Sequence, residues 1–439
     1  MNKYLYKLVL YITILISLSI TNKILCQNRE EISDFYAYIN KDWVDSIVFT
    51  ENTLVVNNWG ILWDKIIDKS VEILTGGVEY DLDEDHLYTL NQLQNFYKSS
   101  IEYSDDNSKR VELVQKHYPM LFGILFSKIT LSQRKEEIIN EIIDYLTIVY
   151  RKKIKNSDKI GDYYKNLFIL KLNRMKFEIG SPQLSIFPKM PILNTDSLNE
   201  NIRLAEEYHL DETSNKSDWE SPPFETDCRY NFYDNKVKIY AGTLYDSYFV
   251  PEEDDFVYLF ATIGRTISHE MTHAFDNIGK NYDGNGNYIN WFEKLFSGAL
   301  FSQNNWGNTY DSLINQYNQY TIQDSLFVDG KKTLQENIAD IGGIEVSLLA
   351  LKDYLQDNHS IDSKDEYIKI IKKYFIYYAQ FWREIATPEF EMSSLKRLHA
   401  PQKYRVIGPV YNQDDFYEVF KVDTNSKYYI PEDLRVKIW

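Results

Sequence analysis

The stretch TISHEMTHAFD, Thr266 to Asp276, carries two of the chain's seven histidines four residues apart, with a glutamate directly after the first. On an α-helix residues i and i+4 share a face. His269 and His273 can therefore aim imidazole nitrogens at one cation while Glu270 reaches a water bound to it. This is the arrangement that zinc-assisted hydrolysis needs: two histidine ligands, a general base beside them, and a position left open for water. The competing reading is an ordinary helix with two satisfied histidines. A third protein ligand elsewhere in the chain would decide between them.

One source of that ligand is excluded. A third histidine six residues after His273, with a glycine three after it, is absent, because Asp276 and Gly279 stand there. The best candidate is Glu336 in LQENIADIGGIEVSLLALKDYL. Read as a helix, this segment puts Asp340 one turn after Glu336 on the same face, so one carboxylate can bind metal while the other accepts the second N–H of a ligand histidine. Asp276, three residues after His273, either serves the other histidine in the same way or caps a turn.

The elements that must position these groups are mostly helical. KEEIINEIIDYLTIVYRKKI repeats its apolar residues at steps of three and four, and the helical period dominates Leu87 to Leu172 and returns from Phe256 onward. The stretches SPQLSIFPKMP and SNKSDWESPPFE are loop signals around a boundary near residue 190. Between them and the histidine helix, VKIYAGTL alternates like a strand and turns at Gly242. The fold class expected is mainly α with a small β component.

With 439 residues and 44% hydrophobic content the chain can bury a substantial core. A formal net charge of −17 repels phosphate backbones, which excludes nucleic acid as a partner. At the N-terminus Lys3 and Lys7 precede the uncharged stretch Leu8 to Asn22, which is shorter than the roughly 20 residues of a bilayer span and suits the core of a signal peptide over residues 1–26. The expected protein is secreted; the alternative is a type II membrane protein held by an uncleaved N-terminus. Cleavage near Cys26 leaves Cys228 as the one thiol, so no internal disulfide can form. Asn215-Lys216-Ser217 and Asn358-His359-Ser360 are glycosylation acceptors by pattern.

ISHEMTHAFD followed downstream by ENIADIGG resembles the neprilysin and endothelin-converting enzyme family of zinc peptidases. DFYAYINKDW, NFYDNKVKIYAGTL, VDGKKTLQENIAD, YYAQFW and HAPQKYRVIGPVYN agree with that family in the same order. The resemblance implies a thermolysin-like zincin catalytic domain over 190–439, a helical lobe over 58–189, and an N-terminal segment, 27–57, packed on the catalytic domain. It implies one Zn2+ per chain held by His269, His273 and Glu336, with Glu270 as general base and peptides or polypeptides as substrates. By the same matching, His399 stabilises the oxyanion and Arg405 binds the substrate backbone or its C-terminal carboxylate. Asn231 binds substrate backbone from an edge strand, with Phe232 where the family has alanine. Phe381 and Trp382 line the pocket for the residue after the scissile bond, which implies cleavage on the amino side of large apolar residues.

Three departures from the family stand out. Arg397 occupies the place of an aspartate two residues before the oxyanion histidine, in a segment one residue shorter. Val422 and Val436 replace C-terminal cysteines. The helical lobe is cut down to Asn58–Lys189, which opens the cleft to longer chains. A non-catalytic secreted peptide binder is the alternative these changes leave, although retention of Glu270 argues against it.

Overall fold

The structure is a computed structural model that describes residues 33–50, 53–183, 189–212, 219–246, 255–289, 306–322, 326–359, 361 and 363–439. The expected signal peptide, Cys26, the first glycosylation acceptor and Ser360 of the second lie outside them. The chain is mainly helical with three small sheets among the described residues. No described helix is long and apolar enough to cross a membrane.

α1 (Phe35–Ser46) starts where the Asp34 carboxylate accepts from Ala37 N at 3.0 Å, an N-cap that satisfies one orphan amide. Its buried face carries Phe35, Tyr36, Ile39 and Asn40. A short strand β1 (Val55–Asn57) leads into α2 (Asn58–Thr75), after which α3 (Glu84–Ser99), α4 (Asn107–His117), α5 (Pro119–Thr130), α6 (Gln133–Asn156) and α7 (Asp162–Asn173) form the helical region. α6 buries Ile139, Ile142, Leu146 and Tyr150 along one stripe, at the three- and four-residue steps read from the sequence.

The second half begins with β2 (Lys176–Gly180), α8 (Leu198–Glu212), β3 (Cys228–Asn231) and β4 (Lys236–Tyr240). β4 lies between the other two strands, parallel to β2 and antiparallel to β3, with Tyr230 opposite Val237 and Phe177 beside it. β2 falls before residue 190, so the span expected as a lobe contributes a strand to this sheet. The helices that follow are α9 (Phe256–Leu259), α10 (Arg265–His273), α11 (Trp306–Tyr317), α12 (Leu334–Asn358), α13 (Lys364–Phe381), α14 (Pro388–Ser394), α15 (Gln402–Val410) and α16 (Asp414–Phe420). A hairpin, β5 (Thr321–Ile322) with β6 (Leu326–Phe327), precedes α12, and β7 (Glu384–Ala386) pairs with β1.

The N-terminal segment is bound to the second half through buried backbone. Tyr36 donates its hydroxyl to Trp382 O at 3.3 Å, Asn40 Nδ2 donates to Ala379 O at 3.1 Å, and Asn58 Nδ2 donates to Gln380 O and Phe381 O at 2.9 Å. These bonds satisfy carbonyls at the C-terminal end of α13, which would otherwise be orphans, and they hold the Phe381–Trp382 corner in place.

Candidate active site

α9 runs through a π-helical turn, Phe260–Gly264, into α10. A π-turn shifts the helical register by part of a turn and leaves carbonyls underused; here the Ser347 hydroxyl of α12 donates to Phe260 O. Every residue of α10 is buried. From the lobe side, Tyr150 of α6 donates its hydroxyl to Ser268 O at 2.6 Å and lies 2.7 Å from Thr272 Oγ1, so the helix is clamped on the face away from the cleft.

α12 crosses α10 at backbone contact. A Cβ added to Gly342 would lie 2.8 Å from Thr272 Cγ2, and one on Gly343 3.0 Å from His269 N. The two glycines therefore set the distance between the helices, and that distance brings Glu336 and Asp340 opposite the histidines. His269 Nδ1 lies 2.8 Å from Asp340 Oδ1, and His273 Nδ1 lies 2.7 Å from Asp276 Oδ2. Asp276 also accepts from Ile278 N and Gly279 N, both at 2.7 Å, so one side chain serves the histidine and caps the turn.

Because a carboxylate cannot donate, these contacts assign the proton of each imidazole to Nδ1 and leave the Nε2 lone pairs pointing inward. The two Nε2 atoms stand 3.2 Å apart, and Glu336 Oε2 lies 3.2 Å from that of His269 and 3.5 Å from that of His273. Two lone pairs cannot hydrogen-bond each other; a cation between them is what the arrangement accommodates. Tetrahedral zinc, with bonds of about 2.0–2.2 Å, places its ligands about 3.3–3.5 Å apart. Two imidazoles and a carboxylate at these separations fit it.

Glu270, beside this set, has Oε1 3.9 Å from His269 Nε2, while Oε2 accepts from Tyr230 N at 2.8 Å. Burial pushes its carboxyl up from the usual range, with Glu336 adding to the effect against the two histidines. Burial would raise Glu336 as well, but the histidines around it outweigh that cost and hold its carboxyl far below the usual range. Asp340 is likewise held low, since the Arg405 guanidinium and His269 overcome the cost of burial. Arg405 binds it bidentately, Nε to Oδ2 and Nη2 to Oδ1, both at 2.7 Å. One carboxylate thus orients a metal-site histidine and an arginine together.

These groups open into a cleft of about 550 Å³. Of the remaining residues read from the sequence, His399, Arg405, Phe232 and Trp382 line it, whereas Asn231 and Phe381 do not. Asn231 Oδ1 accepts from Tyr233 N at 2.8 Å, and Phe381 stands behind the wall with its ring 5.1 Å from that of Trp382 and 5.8 Å from that of Trp59. β3 pairs with β4 along one edge; on its other side Tyr230 N meets Glu270. His399 has 47% of its side chain exposed and Nε2 2.9 Å from Glu336 Oε2. Partial desolvation inside the cleft and the charge of Arg405 lower its pKa. Arg397 is exposed and places its guanidinium 4.9 Å from the Phe390 ring centre.

Trp59, Asp227, Arg229 and Arg265 also line the cleft and were not singled out by sequence reasoning. Arg265 had a signal, because it is four residues before His269 and so shares its helix face. Trp59 and Asp227 had none, since they reach the cleft from other elements.

The model of Peptidase family M13 matches residues 228–436. A neutral endopeptidase of Lactobacillus helveticus is 27% identical over 330 residues, covering 72% of this chain and 47% of that protein. Membrane metallo-endopeptidase-like 1 of Mus musculus is 26% identical over 437 residues, covering 94% of this chain and 52% of that protein. Among solved structures, zinc metalloprotease Zmp1 of Mycobacterium tuberculosis in complex with an inhibitor superposes with a TM-score of 0.65 at 26% identity, over 76% of this chain and 51% of the other. The chain spans about half the length of the curated relatives it matches.

Proposed function

We propose that this chain, which belongs to the neprilysin and endothelin-converting enzyme family of zinc metallopeptidases, is a zinc-dependent endopeptidase in which Glu270 is the general base. The observation that carries this is the convergence of His269 Nε2, His273 Nε2 and Glu336 Oε2 beside the Glu270 carboxylate. Bound there, zinc would acidify a water and polarise the scissile carbonyl.

The residues around it supply the rest. Glu270 takes a proton from the water and passes it to the departing amine, a role for which a carboxyl raised above its ordinary range is suited. His399, neutral because its pKa is lowered, donates an N–H to the carbonyl oxygen as that oxygen gains charge. Arg405, held by Asp340, orients the substrate's planar carbonyl or carboxylate. An extended peptide lies along the outer edge of β3, near Phe232, in the manner of an added strand. The ring of Trp382, backed by Phe381, supports acceptance of a large side chain after the scissile bond. The N-terminal stretch supports export, with a retained membrane anchor as the variant of the same reading.

The test is zinc content and cleavage of a peptide mixture by the purified chain, with and without a chelator, beside Glu270→Gln. That variant is expected to keep its zinc and to lose turnover by about 1,000-fold. Near-normal hydrolysis by Glu270→Gln would overturn the mechanism.

A further inference from the structure

An aromatic surface continues the cleft beyond Phe232. The Phe232 ring, which lines the cleft, stands edge-on to Tyr230 at 5.4 Å and stacks on Tyr282 at 5.5 Å with 27° between the planes. Tyr233 and Tyr288 each meet Tyr282 edge-on at 5.6 Å, and these two outer rings are 71% and 67% exposed. Single exposed apolar residues are ordinary, whereas a contiguous run leading out of a cleft marks an interaction site. The surface is also held in place. Gly286 takes φ +80°, and a Cβ there would lie 1.7 Å from Tyr233 O, so the turn before Tyr288 packs on the backbone of Tyr233. Asp283 Oδ1 accepts from Asn285 N at 2.8 Å and Asn287 N at 3.0 Å, Tyr282 pairs with Tyr288 in an antiparallel bridge, and Lys171 of α7 donates to Tyr282 O at 2.8 Å.

The position of this surface follows from α10. That helix runs along the cleft from Arg265, packed on the Trp382 ring at 4.4 Å, to His273, and its nine residues span about 12 Å. Gly279, whose Cβ would stand 1.7 Å from His273 O, keeps the chain against the far end of the helix as it leads to Tyr282. The Trp382 wall and the tyrosines therefore stand at opposite ends of α10, with His269 between them. A peptide whose residue after the scissile bond meets Trp382 sends its preceding residues toward the tyrosines. Phe232 and Tyr233 are two and three residues past Tyr230, whose N meets Glu270. At about 3.3 Å per residue that distance matches two to three residues of extended substrate.

We propose that Phe232, Tyr233, Tyr282 and Tyr288 form a subsite that selects an aromatic substrate side chain two or three residues before the scissile bond. The proposal rests on the peptidase reading above and adds a selective position to its substrate class. An aromatic ring gains offset and edge-on contacts with the exposed rings beyond the area it buries, a gain that an aliphatic side chain lacks. Because the receiving rings are ordered beforehand, little of that gain is lost to fixing them.

The experiment uses peptides identical except for phenylalanine, leucine, arginine or alanine at the second or the third place before the scissile bond. They are cleaved by the zinc-loaded full chain and by Tyr233→Ala, Tyr288→Ala and Tyr288→Phe. At one of the two places the wild type is expected to show kcat/KM about tenfold higher for phenylalanine than for alanine. Tyr233→Ala and Tyr288→Ala should each shrink that ratio, and Tyr288→Phe should restore it, because the ring makes the contact. Affinities of the same peptides for Glu270→Gln, measured by calorimetry, give a readout without turnover and should follow the same order. Equal handling of phenylalanine and alanine at both places, or a ratio that neither alanine variant changes, would overturn the proposal and leave the peptidase reading intact. Leucine or arginine matching phenylalanine would also overturn it, since the surface would then not select aromatic rings. No cleavage of any peptide, with phenylalanine still bound preferentially by Glu270→Gln, would sink the peptidase reading and spare the subsite.

Discussion

Asp340→Ala tests the proposal that a single carboxylate joins the metal site to the substrate arginine. Asp340 is 1% exposed and accepts from Arg405 Nε, Arg405 Nη2 and His269 Nδ1 at 2.7–2.8 Å. Removing it leaves Arg405 buried without its bidentate anion. Breaking a buried ion pair from one side costs about 3–5 kcal/mol. It also frees the His269 ring, and loss of such an outer carboxylate lowers metal affinity by about 10–100-fold, equivalent to about 1.4–2.7 kcal/mol. The two costs are measured separately: the first by denaturant unfolding of the metal-free protein, the second by competition with a chromophoric chelator. Asp340→Asn, which retains an acceptor oxygen, should fall between. Glu336→Ala removes a ligand and should empty the site, with little loss of metal-free stability. Equal zinc affinity in Asp340→Ala and Glu336→Ala, or an unchanged metal-free stability in Asp340→Ala, would refute the division of roles.

Gly343→Val should separate α10 from α12, because even a bare Cβ there lies 3.0 Å from His269 N; we expect a loss of about 1–3 kcal/mol from overpacking together with loss of bound zinc, and a fully metallated, equally stable variant would contradict it. Lys171, 1% exposed, donates Nζ to Gly279 O at 2.7 Å and Tyr282 O at 2.8 Å, and burial lowers its pKa from 10.5 to about 7 against the pull of Asp276 and Asp283. Its folded pKa lies below its unfolded one, so the unfolded chain binds more protons between those values and stability rises with pH across that window. Urea unfolding at pH 7 and pH 9 should show that rise in the wild type and a flatter response in Lys171→Met. Given the short helical region between α2 and α7, a digest of an unfolded protein beside short peptides should show cleavage of both; confinement to short peptides would mean that the cleft is closed by other means.

Much of the site could be read from the sequence because it is local. His269, Glu270 and His273 share one helix, as do Glu336 and Asp340, and the 3.6-residue period places such groups whatever surrounds them. The same period put Arg265 on the face of His269, but nothing in the sequence showed that Trp382 and Phe381, at the end of another helix, would meet it there. Asp276 was open between two roles, and the turn after α10 gives it both at once. Asn231 was placed on the substrate strand, yet its amide turns to Tyr233 while Phe232 faces the cleft. The boundary drawn near residue 190 followed proline-rich composition, whereas strand pairing joins β2 to β4 across it. Sequence by itself determined the ligand types, their spacing and the helices that carry them, since these depend on neighbours within a few turns. Only the tertiary structure decided which helix meets which: Gly342 and Gly343 permit α12 to approach α10, and contacts between residues as distant as Tyr36 and Trp382 set the cleft's wall through packing that no local period encodes.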